Sequence, residues 1–263
     1  NTYAMARELN VKGLMNVQYA VKNNIVYVLE VNPRASRTVP FVSKAIGVPL
    51  AKLATKIMLG KTLDQLGFTR EVDIKFVAVK ESVFPFIRFP GVDAILGPEM
   101  RSTGEVMGID QTFGVAYAKS QIAAGQKMPT KGNVFISVKS QDKRNIIFVA
   151  KRLESLGFKI MATSGTAAAL KSNDIEVKVL PKIQEGRPNI IDFIKDGKVD
   201  LIINTPSGRA SKEDEIKIRS TAILRNVPLV TTISGAQATV NGIETLIKKV
   251  KISVKSLQEY HKK

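Results

Sequence analysis

Apolar and polar positions alternate along residues 11–32 with the two-residue period of β-strands. Leu14–Val21 and Ile25–Val31 read as the arms of a hairpin, with Asn23-Asn24 as its turn. A short helix is expected over Tyr3–Leu9. Two further helical patterns follow, Val39–Ile46 stopping at Gly47 and Leu50–Leu59 stopping at Gly60; glycine favours the position just past a helix end. From 61 to 130 the pattern is mixed: a strand over Asp73–Glu81, a turn at Arg88–Val92, a polar loop at Gly97–Ser102 and a helix over Thr112–Ala124.

Pro129-Thr130-Lys131-Gly132 reads as a boundary, and beyond it the period switches regularly. Strands are expected at Val134–Val138, Lys159–Thr163, Val177–Leu180, Leu201–Asn204 and Leu229–Thr232. Helices are expected at Lys143–Leu156, Thr166–Lys171, Ile190–Lys195, Glu213–Arg225 and Ala236–Val250. Short β-rich runs alternating with helices imply βαβ units, hence an α/β fold with a doubly wound parallel sheet. A ligand of such a sheet sits beyond the carboxyl ends of its strands.

Two groups of residues carry candidate chemistry. In Leu29-Glu30-Val31-Asn32-Pro33-Arg34, residues 30 and 32 share one face of a strand while Val31 points the other way. Two oxygen-bearing side chains with a following arginine suit a magnesium ion bridging nucleotide phosphates, and Arg34 could neutralise phosphoryl charge. A solvent-facing strand end would look the same. Gln18 joins that face only if opposed residue numbers sum to an even value, as when 22 pairs with 26 around a three-residue loop, Asn23–Ile25; that loop is the expected one. A two-residue Asn-Asn loop would put Gln18 opposite Leu29 and turn it away. In the second group, Thr163-Ser164-Gly165-Thr166 joins a strand to a helix, where hydroxyls and free N–H groups can hold an anion. Asn204-Thr205-Pro206-Ser207-Gly208-Arg209 ends another strand, and Lys143 and Lys182 can bring charge to the same edge. Ordinary turn and cap chemistry also favours these residue types.

Composition narrows the possibilities. The 263 residues contain no cysteine, which excludes disulfide and thiolate chemistry. The one histidine, His261, lies in a Lys-rich tail, so a Ser-His-Asp site or a His-ligated zinc has no obvious imidazole. Any metal must use oxygen ligands. The net charge of +17 raises nucleic-acid binding. The lysines, however, are scattered over the helices, and only 6% of residues are aromatic, with no aromatic–basic interleaving for stacking bases. A solvated basic surface is expected, with no nucleic-acid partner and no membrane partner. No apolar run approaches the roughly 20 residues of a membrane span. Starting at Asn1 inside a helix suggests a piece of a longer protein.

Glu30-Val31-Asn32-Pro33-Arg34-Ala35-Ser36-Arg37-Thr38-Val39-Pro40-Phe41-Val42-Ser43-Lys44-Ala45, with the preceding Met15–Val21, resembles the end of the second ATP-grasp domain in carbamoyl phosphate synthase large subunits. The likeness continues through Phe89-Pro90-Gly91-Val92-Asp93 and Leu96–Gly108. It implies residues 1–60 as the end of the ATP-grasp domain, 61–130 as a connecting region and 131–263 as a regulatory domain resembling methylglyoxal synthase. It further implies Gln18, Glu30 and Asn32 as ligands of Mg2+ or Mn2+ with ATP, and Arg34 as a phosphate contact. The implied reaction is phosphorylation of carbamate by ATP, serving arginine and pyrimidine synthesis. The ammonia would come from a glutaminase small subunit, and the setting would be cytoplasmic. The catalytic loops of the domain would lie upstream, so the chain alone is expected to be inactive.

For the regulatory half the resemblance implies that Lys143, Thr163, Thr166, Lys182, Asn204 and Thr205 line a nucleoside monophosphate pocket, for UMP or IMP. Pro206 stands where the family carries a second threonine, which removes a hydroxyl. Glu81 and Thr231 match positions that bind ornithine in some members, although Leu229 replaces the usual tyrosine. Two rival readings are a stand-alone nucleotide-binding module and a lyase of the methylglyoxal synthase type. The lyase needs a carboxylate base near the bound phosphate ester, for which Glu185 is the nearest substitute; the family's Gly-Gly-Asp string and catalytic histidine are missing.

Overall fold

The computed structural model describes residues 1–84, 101–205, 212–250 and 252–262. The stretches Phe89–Asp93 and Leu96–Met100, and the turn residues Pro206–Arg209, lie outside them. The chain forms two compact units, Asn1–Lys75 together with Ser253–Lys263, and Phe76–Ile252.

In the first unit, helix α1 (Thr2–Glu8) precedes an antiparallel hairpin of β1 (Asn16–Lys22) and β2 (Ile25–Asn32), followed by helices α2 (Thr38–Ile46) and α3 (Leu50–Met58). The hairpin corrects the expected loop. Lys22 pairs with Ile25, so only Asn23 and Asn24 form the turn, at φ of 51° and 61°. Asparagine tolerates this left-handed region, and two such residues give the turn whose twist matches paired strands. The parity is then restored by a bulge: Tyr19 pairs with Val28 and Gln18 with Glu30, which leaves Leu29 as the extra residue. Gln18 therefore faces Glu30, by a route the alternation alone does not reveal.

The second unit opens with the antiparallel pair β3 (Val77–Val83) and β4 (Gly104–Asp110) and helix α4 (Phe113–Ala123). β3 begins later than the apolar pattern suggests. Then come β5 (Asn133–Ser137), α5 (Lys143–Ser155), β6 (Lys159–Thr163), α6 (Ser164–Lys171), β7 (Val177–Leu180), α7 (Ile190–Lys195), β8 (Leu201–Asn204), α8 (Lys212–Leu224), β9 (Leu229–Val230) and α9 (Ile233–Ile247). Helix α9 starts three residues earlier than expected because the Thr232 side chain accepts from the Gly235 N–H and caps it. A last helical turn, α10 (Leu257–Tyr260), belongs to the first unit.

β5–β9 make one parallel sheet in the order β7-β6-β5-β8-β9. Its inner strands β6, β5 and β8 are buried and apolar on both faces because helices cover both. Val134 and Ile136 of β5 pack with Leu153 of α5, Leu170 of α6 and Val240 of α9. Phe135 points the other way, into a second core with Ile190, Ile194, Ile218 and Ala222 of α7 and α8. The order reverses at β5, so the crevice of a doubly wound sheet opens above the ends of β5 and β8. No helix among the described residues is long and apolar enough to cross a membrane.

Candidate functional site

On the hairpin, Gln18 lies opposite Glu30 and Asn16 opposite Asn32. Directly opposed residues of an antiparallel pair project to one face, so these four oxygen-bearing side chains form a cluster. The Asn32 amide nitrogen donates to the Glu30 carboxylate. The chain then turns sharply, with the Arg34 N–H donating to the Asn32 carbonyl at 2.8 Å and the Arg34 Nη1 donating to the Ala35 carbonyl at 3.1 Å. Asn16 went unrecognised in the sequence, although its position two residues before Gln18 puts it on the same face. Glu30 and Gln18 are exposed, and Asn32 is half-buried. One carboxylate plus neutral amides fits Mg2+ or Mn2+ shared with a nucleotide: such an ion takes one or two protein oxygens and leaves the other positions to phosphates and water. No cluster of three or more His, Cys, Asp or Glu that could hold a metal ion occurs among the described residues.

In the parallel sheet, Asn204, Ser137, Thr163 and Leu180 form one row across the carboxyl ends of β8, β5, β6 and β7. The two turns singled out in the sequence thus share an edge. The Thr166 hydroxyl accepts from the Val138 N–H at 3.2 Å, and the Thr205 hydroxyl accepts from the Lys139 N–H at 3.0 Å. Ser137 and Thr163 hydroxyls meet at 3.2 Å. The Lys143 ammonium stands 3.4 Å from where a β-carbon on Gly165 would lie, over the start of α6. Lys143, Thr163, Thr166, Asn204 and Thr205 are therefore gathered around one crevice. Lys182 follows β7, where its ammonium lies 3.5 Å from Glu185 and its N–H donates to the same carboxylate.

Behind the crevice sits a pair that sequence reasoning missed. Arg219 is fully buried, and its Nη1 donates to the Asn204 Oδ1 at 3.1 Å and to Glu215 at 3.5 Å. Asn204 in turn donates its amide to the Ser137 carbonyl at 3.2 Å. A signal existed: Glu215, Ile218, Arg219 and Ala222 fall on one helical stripe.

Glu185 makes a poor general base. The Lys182 N–H donates to its carboxylate, and the Lys182 ammonium reinforces this, so its pKa lies below the ordinary value. That makes the nearest substitute base for the lyase reading a weaker one.

Glu81 sits half-buried on β3, where desolvation raises its pKa above 4.5 despite a hydrogen bond donated by Gln121 at 2.7 Å. Nearby, burial raises the Tyr117 phenol, whose hydroxyl meets that of Thr239 at 3.1 Å. Thr231 is half-buried between β9 and α9 and makes no hydrogen bond to Glu81 among the described residues. A raised folded-state pKa means the fold disfavours the Glu81 carboxylate. Its contribution to stability is complete below the unfolded value and is lost as pH rises through the folded one. Glu81→Gln is therefore expected to raise the melting temperature at pH 7, with the gain vanishing below about pH 4. Scans at both pH values check it; an equal shift at both would contradict the desolvation argument.

Residues 1–66 match the family model described as carbamoyl-phosphate synthase L chain, ATP binding domain, and residues 145–231 match the MGS-like domain. The chain is 56% identical over 261 residues to the carbamoyl phosphate synthase large chain of Archaeoglobus fulgidus, covering 99% of itself and 24% of that protein. It is a homologue of the carbamoyl phosphate synthase large chain. Two further relatives are each named as the C-terminal section of this large chain. That of Methanocaldococcus jannaschii is 52% identical, with 98% of this chain and 43% of the relative covered. That of Aquifex aeolicus is 52% identical, with 99% and 52% covered. The chain thus spans about a quarter of the full-length carbamoyl phosphate synthase large chains it matches and about half of the separate C-terminal sections. The face shared by Gln18, Glu30 and Asn32 falls inside the stretch matched as ATP-binding, and Thr163, Thr166, Asn204 and Thr205 inside the MGS-like stretch.

Proposed function

We propose that the chain works as the C-terminal part of a carbamoyl phosphate synthase large chain, in which ATP phosphorylates carbamate to give carbamoyl phosphate and ADP. The reading rests most on the face shared by Gln18, Glu30 and Asn32, with Arg34 at its end, inside the stretch that matches an ATP-binding domain. Gln18, Glu30 and Asn32 would hold Mg2+ or Mn2+ beside the nucleotide, and the ion would offset phosphate charge. Arg34 orients the transferred phosphoryl group and balances charge on its oxygens as the carbamate oxygen displaces ADP. Positioning is most of what a protein contributes to such a transfer.

In this reading residues 1–60 close the ATP-grasp domain, 61–130 connect, and 131–263 sense an effector. A nucleoside monophosphate such as UMP or IMP places its phosphate among Lys143, Thr163, Thr166, Asn204 and Thr205, with Lys182 at the rim. Ornithine would use Glu81 and Thr231. The remainder of the large chain and a glutaminase small subunit complete a cytoplasmic enzyme. Support for a larger assembly comes from the hairpin, where Val21 is 69% and Leu29 65% exposed and Ile25–Val28 are exposed as well. Two strands with apolar side chains open on both faces are marginal in water until other elements cover them.

The test is calorimetric titration of the intact enzyme with UMP, IMP and ornithine, before and after Lys143→Ala. UMP or IMP is expected to bind, and the variant to bind it about tenfold more weakly through loss of a charge-assisted contact. An enzyme that makes carbamoyl phosphate but binds no nucleoside monophosphate would sink the regulatory half of the reading.

A further inference from the structure

The C-terminal segment crosses back. After α9 the chain re-enters the first unit at Ser253 and remains in it to its last residue. There it meets a specific deficiency in α2. A helix leaves its last carbonyls without intrahelical donors. Here Gly47, at φ of 70°, sends its N–H to Ser43, and the Val48 N–H also turns back to Ser43 at 3.1 Å. In a continuing helix that second N–H would have served Lys44. The Lys44 carbonyl instead lies 2.7 Å from the Nε2 of His261. A carbonyl only accepts, so Nε2 carries the proton and donates. The imidazole also fills the space a side chain at residue 47 would need, since a β-carbon on Gly47 would lie 2.7 Å from His261 Cγ. The ring itself is half-buried. The turn Ser256–Glu259 that carries it is fixed by a reciprocal cap between those two residues.

The other end of α2 matters for chemistry. Only Ala35, Ser36 and Arg37 separate Arg34 from Thr38, where α2 begins. That link is stiffened by the Thr38 N–H donating to Ser36 Oγ at 3.2 Å and the Val39 N–H donating to the Ser36 carbonyl at 3.1 Å. A displacement of α2 is thus passed to Arg34 with little slack. We propose that His261 is a positioning residue for the phosphate-contacting segment, holding the far end of α2 so that Arg34 keeps its place. The inference rests on the functional reading above, because it needs Arg34 to face phosphate.

The experiment uses the intact enzyme with His261→Ala and His261→Gln, the latter retaining an N–H donor. Amides 45–48 are expected to exchange about tenfold faster in the alanine variant. kcat for ATP formation from ADP and carbamoyl phosphate should fall about fivefold while KM for ADP changes much less, as expected when a transition-state contact loses its orientation. Glutamine should restore both. Unchanged exchange at 45–48 overturns the lock whatever the activity. Faster exchange with wild-type kcat overturns the positioning role. If the wild-type enzyme forms no ATP from ADP and carbamoyl phosphate, the functional reading fails, while the exchange measurement still decides the lock.

Discussion

Glu30→Ala in the intact enzyme is expected to lower ATP formation from ADP and carbamoyl phosphate by about two to three orders of magnitude, the scale set by removing one preorganised electrostatic group. Among the side chains gathered on that face, Asn16, Gln18 and Asn32 are neutral amides, and Glu30 alone brings a full charge. Its loss leaves only dipoles on the protein side of a divalent cation, so saturation with Mg2+ should require a much higher concentration. Glu30→Gln keeps an oxygen at the same reach and is expected to fall between wild type and alanine, with extra Mg2+ recovering part of its activity. Folding should be spared, because Glu30 is exposed and the hairpin register is held by backbone pairing. Rates measured against Mg2+ concentration decide the matter. An alanine variant within about tenfold of wild type at limiting Mg2+ would remove Glu30 from the phosphoryl-transfer site.

The hairpin also shows what a sequence can and cannot convey about such a site. Period-two alternation located β1 and β2 and placed Glu30 beside Asn32, because side-chain direction along a strand is set by local geometry. Cross-strand register depends on the turn and on any bulge, and Leu29 looks like every other apolar residue of β2. The expected loop was therefore wrong while the Gln18–Glu30 juxtaposition it was meant to secure is present. In the second unit the strands were legible from their β-branched runs, and their common edge followed from parallel topology. The order β7-β6-β5-β8-β9 and the row Asn204-Ser137-Thr163 come from pairing between segments distant in the chain, which no local pattern encodes. His261 was dismissed as a tail residue for the same reason: its partner, Lys44, lies 217 positions away.

Arg219 is the costliest residue to have passed unnoticed, and its removal should show as the largest stability loss in the second unit. Arg219→Leu takes the donor from the Asn204 Oδ1 and the cation from Glu215, which is only 7% exposed. Breaking one side of a buried ion pair costs about 3–5 kcal/mol, because the remaining charge has been desolvated and loses that share of its compensation. That is a large share of a domain's stability, about 5–15 kcal/mol. Asn204 and Thr205 both bond the Ser137 carbonyl, at 3.2 Å each, so the crevice row should loosen with the pair. Replacing both partners with apolar residues, as in Glu215→Leu with Arg219→Met, is expected to recover much of the loss, since neither charge then remains buried. Chemical denaturation of Arg219→Met, Glu215→Leu and their double variant, followed as a double-mutant cycle, separates the pair from each residue's packing. An Arg219→Leu variant within about 1 kcal/mol of wild type would mean that water reaches Glu215 readily and that the pair is peripheral to the fold.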